Sequence, residues 1–169
     1  MKRIGCFLLA WLMLFSLAAC QDTPPQPVPP AGEEWEPSVP EVRDLTSLLT
    51  AAEVSAAVGQ TVGEGVMQEH DTVLLFSTED YTTQVSLLVE EPTVKATEYL
   101  DMLAEQYPEG SLAEAPNLGD RAFWCAESGE LLVATGKLVV AVNVMSATAD
   151  AESRLIAARQ LATLVLERV

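Results

Sequence analysis

The residues able to do chemistry are few and scattered. The single histidine, His70, stands between Glu69 and Asp71 in M-Q-E-H-D-T-V. An imidazole between carboxylates titrates near neutrality and can ligate a metal or take a proton. A zinc site of the N/S type needs three or four ligands, and the chain has neither a second histidine nor a close cysteine pair. His70 therefore reads as a solvated turn residue. Cys125, in R-A-F-W-C, would need His70 as base and an orienting group to act as a nucleophile. Its apolar neighbours predict a buried, inert thiol instead. A calcium loop of the D-x-[DN]-x-[DN]-G type is missing, which leaves Glu79-Asp80 and Glu90-Glu91 as weak, water-facing acidic pairs. Gly63 and Gly65, in T-V-G-E-G-V, lack the following helix of a phosphate loop, and Glu64 between them repels phosphate. With 25 acids in the chain, spacing singles out no glycosidase-type carboxylate pair. No catalytic set, resident metal or cofactor is expected.

The chain has 169 residues, 25 acids against nine Lys+Arg, and a formal charge of −16. Such a surface repels phosphate backbones and anionic headgroups, so nucleic acid is excluded as an expected partner. Solubility is the simple use of so many acids, and cationic partners are compatible with them.

Cys20 is different, because of what surrounds it. Lys2 and Arg3 form a basic start, and an apolar run follows from Ile4 to Ala19. Sixteen residues at helical rise span about 24 Å, short of the ~30 Å hydrocarbon core, so the run reads as a signal peptide rather than an anchor. It ends on Leu17-Ala18-Ala19-Cys20, which resembles the lipobox of bacterial lipoproteins at every position. The resemblance implies a diacylglyceryl thioether on Cys20 and cleavage between Ala19 and Cys20 by the lipoprotein signal peptidase. Two acyl chains of the palmitate kind hold a protein stably where one holds it marginally. The mature product then carries seven bases against the same 25 acids, a formal −18. With Cys20 lipidated and Cys6 in the leader, Cys125 has no partner for an intramolecular disulfide. Gln21, not Asp, follows Cys20, so an inner-membrane retention signal is missing if the cell has two membranes. The expected location is the extracytoplasmic face of the cell membrane, or the outer membrane where one exists.

Three segments follow: residues 1–19 as signal peptide, 20–43 as lipidated cysteine and tether, and 44–169 as a globular domain. Seven of the ten prolines fall between Gln21 and Arg43, a composition that favours extended polyproline geometry. About 23 such residues reach at most ~70 Å. The acids among them should push the tether off anionic lipid. Trp35 is either a docking anchor for a partner or an aromatic that folds back on its own domain.

In the body, Thr50 and Glu53 form a capping box that opens a short helix ending at Gly59, with Asp44 capping a turn before it. Strands are expected near 60–67, 72–78 and 82–89, with Glu79-Asp80 turning the second into the third. A second helix is expected from Pro92 to about Gln106, with Ala96, Leu100, Leu103 and Tyr107 on one face. A loop carrying Pro116, Gly119 and Asp120 leads to a strand at Arg121–Cys125. Two further strands, E-L-L-V-A-T and K-L-V-V-A-V-N-V-M, follow turns at Ser128-Gly129 and Thr135-Gly136. The last helix runs from about Asp150 to Arg168, with Leu155, Ala158, Ala162, Val165 and Val169 on one face and end charges that suit its dipole. Asp120 is expected to hold a turn, and Arg121 either pairs with a nearby acid or binds a partner.

The expected fold class is α+β, an antiparallel sheet packed with helices in the order α-βββ-α-βββ-α. That order, with L-L-T-A-A-E-V-S-A-A-V-G early and N-L-G-D-R-A-F-W before the last strands, resembles small envelope lipoproteins with a PsbP-like fold. The resemblance covers residues 45–169 and implies the fold without an activity. The functional expectation is a membrane-anchored, non-catalytic envelope lipoprotein that binds another protein, with Trp35 and Arg121 as candidate contacts. The alternatives are a binder of a small or cationic ligand, and an enzyme.

Overall fold

Strands that alternate two kinds of side chain must sort them onto two faces of a sheet, and the body of this protein is organised by that sorting. The computed structural model describes residues 44–68 and 72–169, all within one compact unit. The fold is α+β, with three α-helices and a seven-stranded antiparallel sheet. The first half holds a 3₁₀ turn (Leu45–Ser47), α1 (Ala51–Val58), β1 (Val66–Gln68), β2 (Val73–Ser77) and β3 (Thr83–Glu90). After α2 (Ala96–Ala104) come β4 (Leu112–Glu114), β5 (Arg121–Cys125), β6 (Glu130–Thr135), β7 (Leu138–Ser146) and α3 (Ala151–Leu166). The strand order β1-β2-β3-β7-β6-β5-β4 makes two meanders that meet where β3 pairs with β7.

One sheet face is closed. Leu74, Phe76, Val85, Leu87, Val140 and Val142 point from it into a core shared with Leu45 and Leu49, Val54 of α1, and Ala158 and Leu161 of α3. The alanines on α3 bring its axis close to the strands. The opposite face is only half covered. There α2 sets Ala96 and Leu100 on Phe123, Leu132, Val139 and Ala141, and two tyrosines brace it: Tyr99 donates to Glu90 at 3.0 Å and Tyr107 to Glu130 at 2.6 Å.

Four expectations need correction. The second half has four strands, because Leu112–Glu114 pairs with β5 as a three-residue edge. Its ladder is supplied by β5, and three residues carry no periodicity of their own. The first strand is shorter than expected, Val66–Gln68. Gly63 donates to the Ser77 carbonyl at 2.9 Å, one residue out of the register set by Val66 and Leu75, so the regular ladder stops there. A Cβ at Gly65 would come within 2.7 Å of the Leu74 side chain and 2.9 Å of the Phe76 ring, so a larger residue would displace the core there. The second helix starts at Ala96 rather than Pro92, with Lys95 as an N-cap that makes no side-chain bond. Thr93 and Val94 are β-branched, which disfavours helix, and they lie in a bend between β3 and α2. Val169, expected on the buried face of the last helix, lies beyond α3 and is exposed.

The two expected caps hold, and Asp150, expected as a dipole charge, adds a third. Thr50 and Glu53 form the capping box of α1, Asp44 caps the 3₁₀ turn, and Asp150 accepts from the Ser153 amide at 2.7 Å. Glu53 does a second job that the sequence did not announce. Arg168, just past α3, donates from Nη1 to Glu53 at 3.1 Å and to the Leu48 carbonyl at 2.6 Å, while Nη2 bonds the other Glu53 oxygen. The first and last helical segments are thus tied together. The Arg168 bond, followed by the bonds from Thr50, holds the Glu53 carboxyl at about 2, against an ordinary 4.5. A carboxyl with a lowered folded-state pKa adds stability that is complete above the unfolded value and is lost as pH falls through the folded one. Glu53→Gln should therefore cost about 1 kcal/mol at pH 7. That difference from wild type in urea midpoint should shrink steadily between pH 4.5 and 2; a pH-independent difference would show the tie to be unimportant.

Candidate functional site

Where β3 begins and β7 ends, α2 does not reach, and side chains from both sheet faces meet at an open edge. An open pocket of about 390 Å³ lies there, lined by Tyr81, Gln84, Ser128, Asn143, Met145 and Arg154 among others. Three turns build it. In the β2–β3 turn, the Asp80 carboxylate accepts from the hydroxyls of Thr78 and Thr82 at 2.7 and 2.8 Å and from the Thr82 amide at 3.1 Å. Those bonds, Thr78 foremost, hold the Asp80 carboxyl below its ordinary pKa. Tyr81 sits on this turn at φ +57 with its side chain 71% exposed. A left-handed tyrosine is strained, and such outliers are informative at binding surfaces. Met145, 50% exposed, stands beside it.

In the β5–β6 turn, Gly129 adopts φ +73 and its carbonyl accepts from the Val144 amide at 2.7 Å. Asn143 donates its side-chain amide to the Ser128 carbonyl at 3.0 Å, fixing that turn to β7. From the first turn of α3, Arg154 reaches the same loop and donates from Nη2 to the Ala126 carbonyl at 2.7 Å. Its Nη1 occupies a notch that a side chain at Gly129 would fill, since a Cβ there would come within 2.8 Å. The Arg154 Nε and the Ser128 hydroxyl are both buried and lack hydrogen-bond partners. Each such group costs about 1–3 kcal/mol while unpaired. Three ion pairs occur among the described residues, Lys95–Glu98, Arg121–Asp101 and Arg168–Glu53, and Arg154 is in none of them.

The residues singled out by sequence lie elsewhere. Ala19, Cys20, Trp35 and His70 fall outside the described residues. Arg121 is at the far end of β5 from the pocket, paired with Asp101 of α2 at 2.6 Å and stacked 4.9 Å from the Phe123 ring centroid. It ties α2 to the sheet. Asp120 does hold a turn, though not its own: its carboxylate accepts from the Gly136 amide at 2.7 Å and so clamps the β6–β7 hairpin. Gly119 precedes it at φ +54, where a Cβ would collide with the Ala134 carbonyl. Cys125 is free and buried. It faces Glu130 across the ladder, and that carboxylate is engaged by Tyr107, whose hydroxyl is held well above its ordinary pKa by burial first and Glu130 second. Among the described residues no group of three or more His, Cys, Asp or Glu is placed to hold a metal ion. Nor, among them, is any helix long and apolar enough to cross a membrane.

Sequence reasoning missed Arg154, Ser128 and Tyr81. One signal was available: a cation in the first turn of α3 opposes the helix dipole, so its position calls for a specific acceptor. No family model, curated protein or solved structure matches the chain.

If Tyr81 is kept for contact rather than for folding, Tyr81→Gly should stabilise the domain. Relief of the left-handed strain outweighs the added chain entropy by about 1 kcal/mol. A urea melt in which the variant is less stable than wild type would show that the tyrosine ring packs for stability.

Proposed function

We propose that this chain is an exported lipoprotein, cleaved between Ala19 and Cys20 and held to the extracytoplasmic face of the membrane by a diacylglyceryl group on Cys20. Its acidic tether of residues 20–43 presents residues 44–169 as a non-catalytic binding domain for an envelope protein. The observation that carries the interaction reading is the half-covered sheet. One face is sealed by α1 and α3, while on the other α2 leaves the outer side of β1–β3 open, with Val66, 55% exposed, near one edge and Tyr81 and Met145 at one end. Exposed aromatic and methionine side chains of this kind are enriched at contact surfaces. Trp35 and Arg121 remain the further candidate contacts from the sequence. The PsbP-like assignment of the body belongs to this proposal. It rests on the two stretches L-L-T-A-A-E-V-S-A-A-V-G and N-L-G-D-R-A-F-W and on the recurrence of helix and meander.

A second reading, a binder of a small ligand, is favoured by the pocket at Arg154 with its unpaired buried donors.

Anchoring is tested by feeding cells labelled palmitate. Wild type should take up label and sediment with membranes, while Cys20→Ser should do neither; label on the variant, or none on wild type, would refute the anchor. Crosslinking with mass spectrometry on the same two strains tests the partner. One abundant protein captured by wild type and lost in Cys20→Ser is the expected result, and no reproducible capture would end the interaction reading.

A further inference from the structure

We infer that the pocket at the open end of the sheet binds a small zwitterionic carboxylate bearing an apolar side group, a molecule of amino-acid size. The inference rests on the small-ligand reading of the same pocket and names its ligand class.

The carboxylate half of the ligand is read by Arg154. A guanidinium carries five N–H donors in a planar fork that matches a carboxylate edge. Here one of them has a protein partner, the Ala126 carbonyl, and Nε is buried without any. The side chain is positioned by that carbonyl and by the notch over Gly129, not by a counter-ion. In a chain with a formal charge of −16, this guanidinium has no ion pair within contact distance and feels Asp150 only through space, so its remaining donors are left for a ligand. The side-chain amides of Asn143 and Gln84 line the same space and can orient a bound group.

The ammonium half is read by Glu127. Its carboxylate lines the same pocket, yet it is not paired with Arg154 and has no hydrogen-bond partner among the described residues. Two opposite charges that line one cavity without pairing with each other can each take one pole of a zwitterion. A plain anion would have to approach against the net negative field of the domain, whereas a zwitterion carries no net charge and is not repelled. Tyr81 and Met145 supply the apolar lip for a side group. The volume, about 390 Å³, falls at the small end of ligand sites, which run from roughly 300 to 1,000 Å³.

The test is a titration of the full-length, isotope-labelled protein in detergent micelles, followed by NMR. The probes are L-phenylalanine and L-leucine, with 3-phenylpropionate lacking the ammonium and phenethylamine lacking the carboxylate. One of the two amino acids should move the Asn143 side-chain amide and the Ser128 and Gly129 backbone amides saturably. Both control compounds should bind at least about tenfold more weakly. Arg154→Gln should weaken the amino acid by about tenfold or more, but it also removes the bond to Ala126. Glu127→Gln, which breaks no bond of the fold, therefore carries the independent arm and should weaken binding several-fold. Phenylpropionate binding as tightly as the amino acid, or indifference to Glu127→Gln, would overturn the zwitterion assignment. Phenethylamine binding alone would overturn it while leaving a cationic-ligand pocket in place. If all four compounds leave those resonances unmoved, the ligand reading of the pocket falls with it.

Discussion

The pairing of β3 with β7 is the contact on which the rest of the sheet depends. It runs from Thr83 opposite Ser146 to Glu90 opposite Val139, and it joins segments separated by α2 and three strands. Each meander is local and closes through short turns, but neither has a complete face without the other. Loop closure over such a separation is costly, so the pairing needs support from side chains. Val85, Leu87, Val140, Val142 and Val144 supply it, adjacent on one face and buried under α3. The polar end of the same ladder is closed by the hydroxyls of Thr83 and Ser146, 3.0 Å apart.

From that pairing follows the unequal treatment of the two faces. The segment that links the meanders contains α2, which settles on residues of β5, β6 and β7. At nine residues it cannot cover the whole breadth of a seven-stranded sheet. The first and last described segments, by contrast, meet on the other face, where α1, the 3₁₀ turn and α3 pack together and Arg168 ties the last helix back to Glu53. The outcome is one sealed face and one partly open face.

The pocket is a consequence of the same geometry. It forms beyond the reach of α2, at the end of the sheet where turns from both meanders come together. Its β5–β6 side is held by bonds from β7, the Val144 amide to the Gly129 carbonyl and the Asn143 side-chain amide to the Ser128 carbonyl. Arg154 belongs to the sealed side by its helix and to the open edge by its guanidinium, so the two halves of the architecture meet in one side chain.

Much of this was legible in the residues themselves. The capping box at Thr50 and Glu53, the Asp150 cap, the turn at Glu79-Asp80 and the long alternation of β3 and β7 are local signals whose physics acts within a few residues. What the chain could not disclose locally depended on distant neighbours. Leu112–Glu114 is a strand because β5 offers it a ladder, and β1 stops short because Gly63 slips out of register beside Ser77. Arg121 finds Asp101, and Glu53 finds Arg168, across separations that spacing cannot measure. The same holds for the candidate site. Tyr81, Ser128, Asn143 and Arg154 come from four separate parts of the sequence, and each taken singly is an ordinary turn, strand or helix residue. Only the tertiary structure brings them to one cavity, because short-range preferences set the elements while long-range packing decides which side chains share a space.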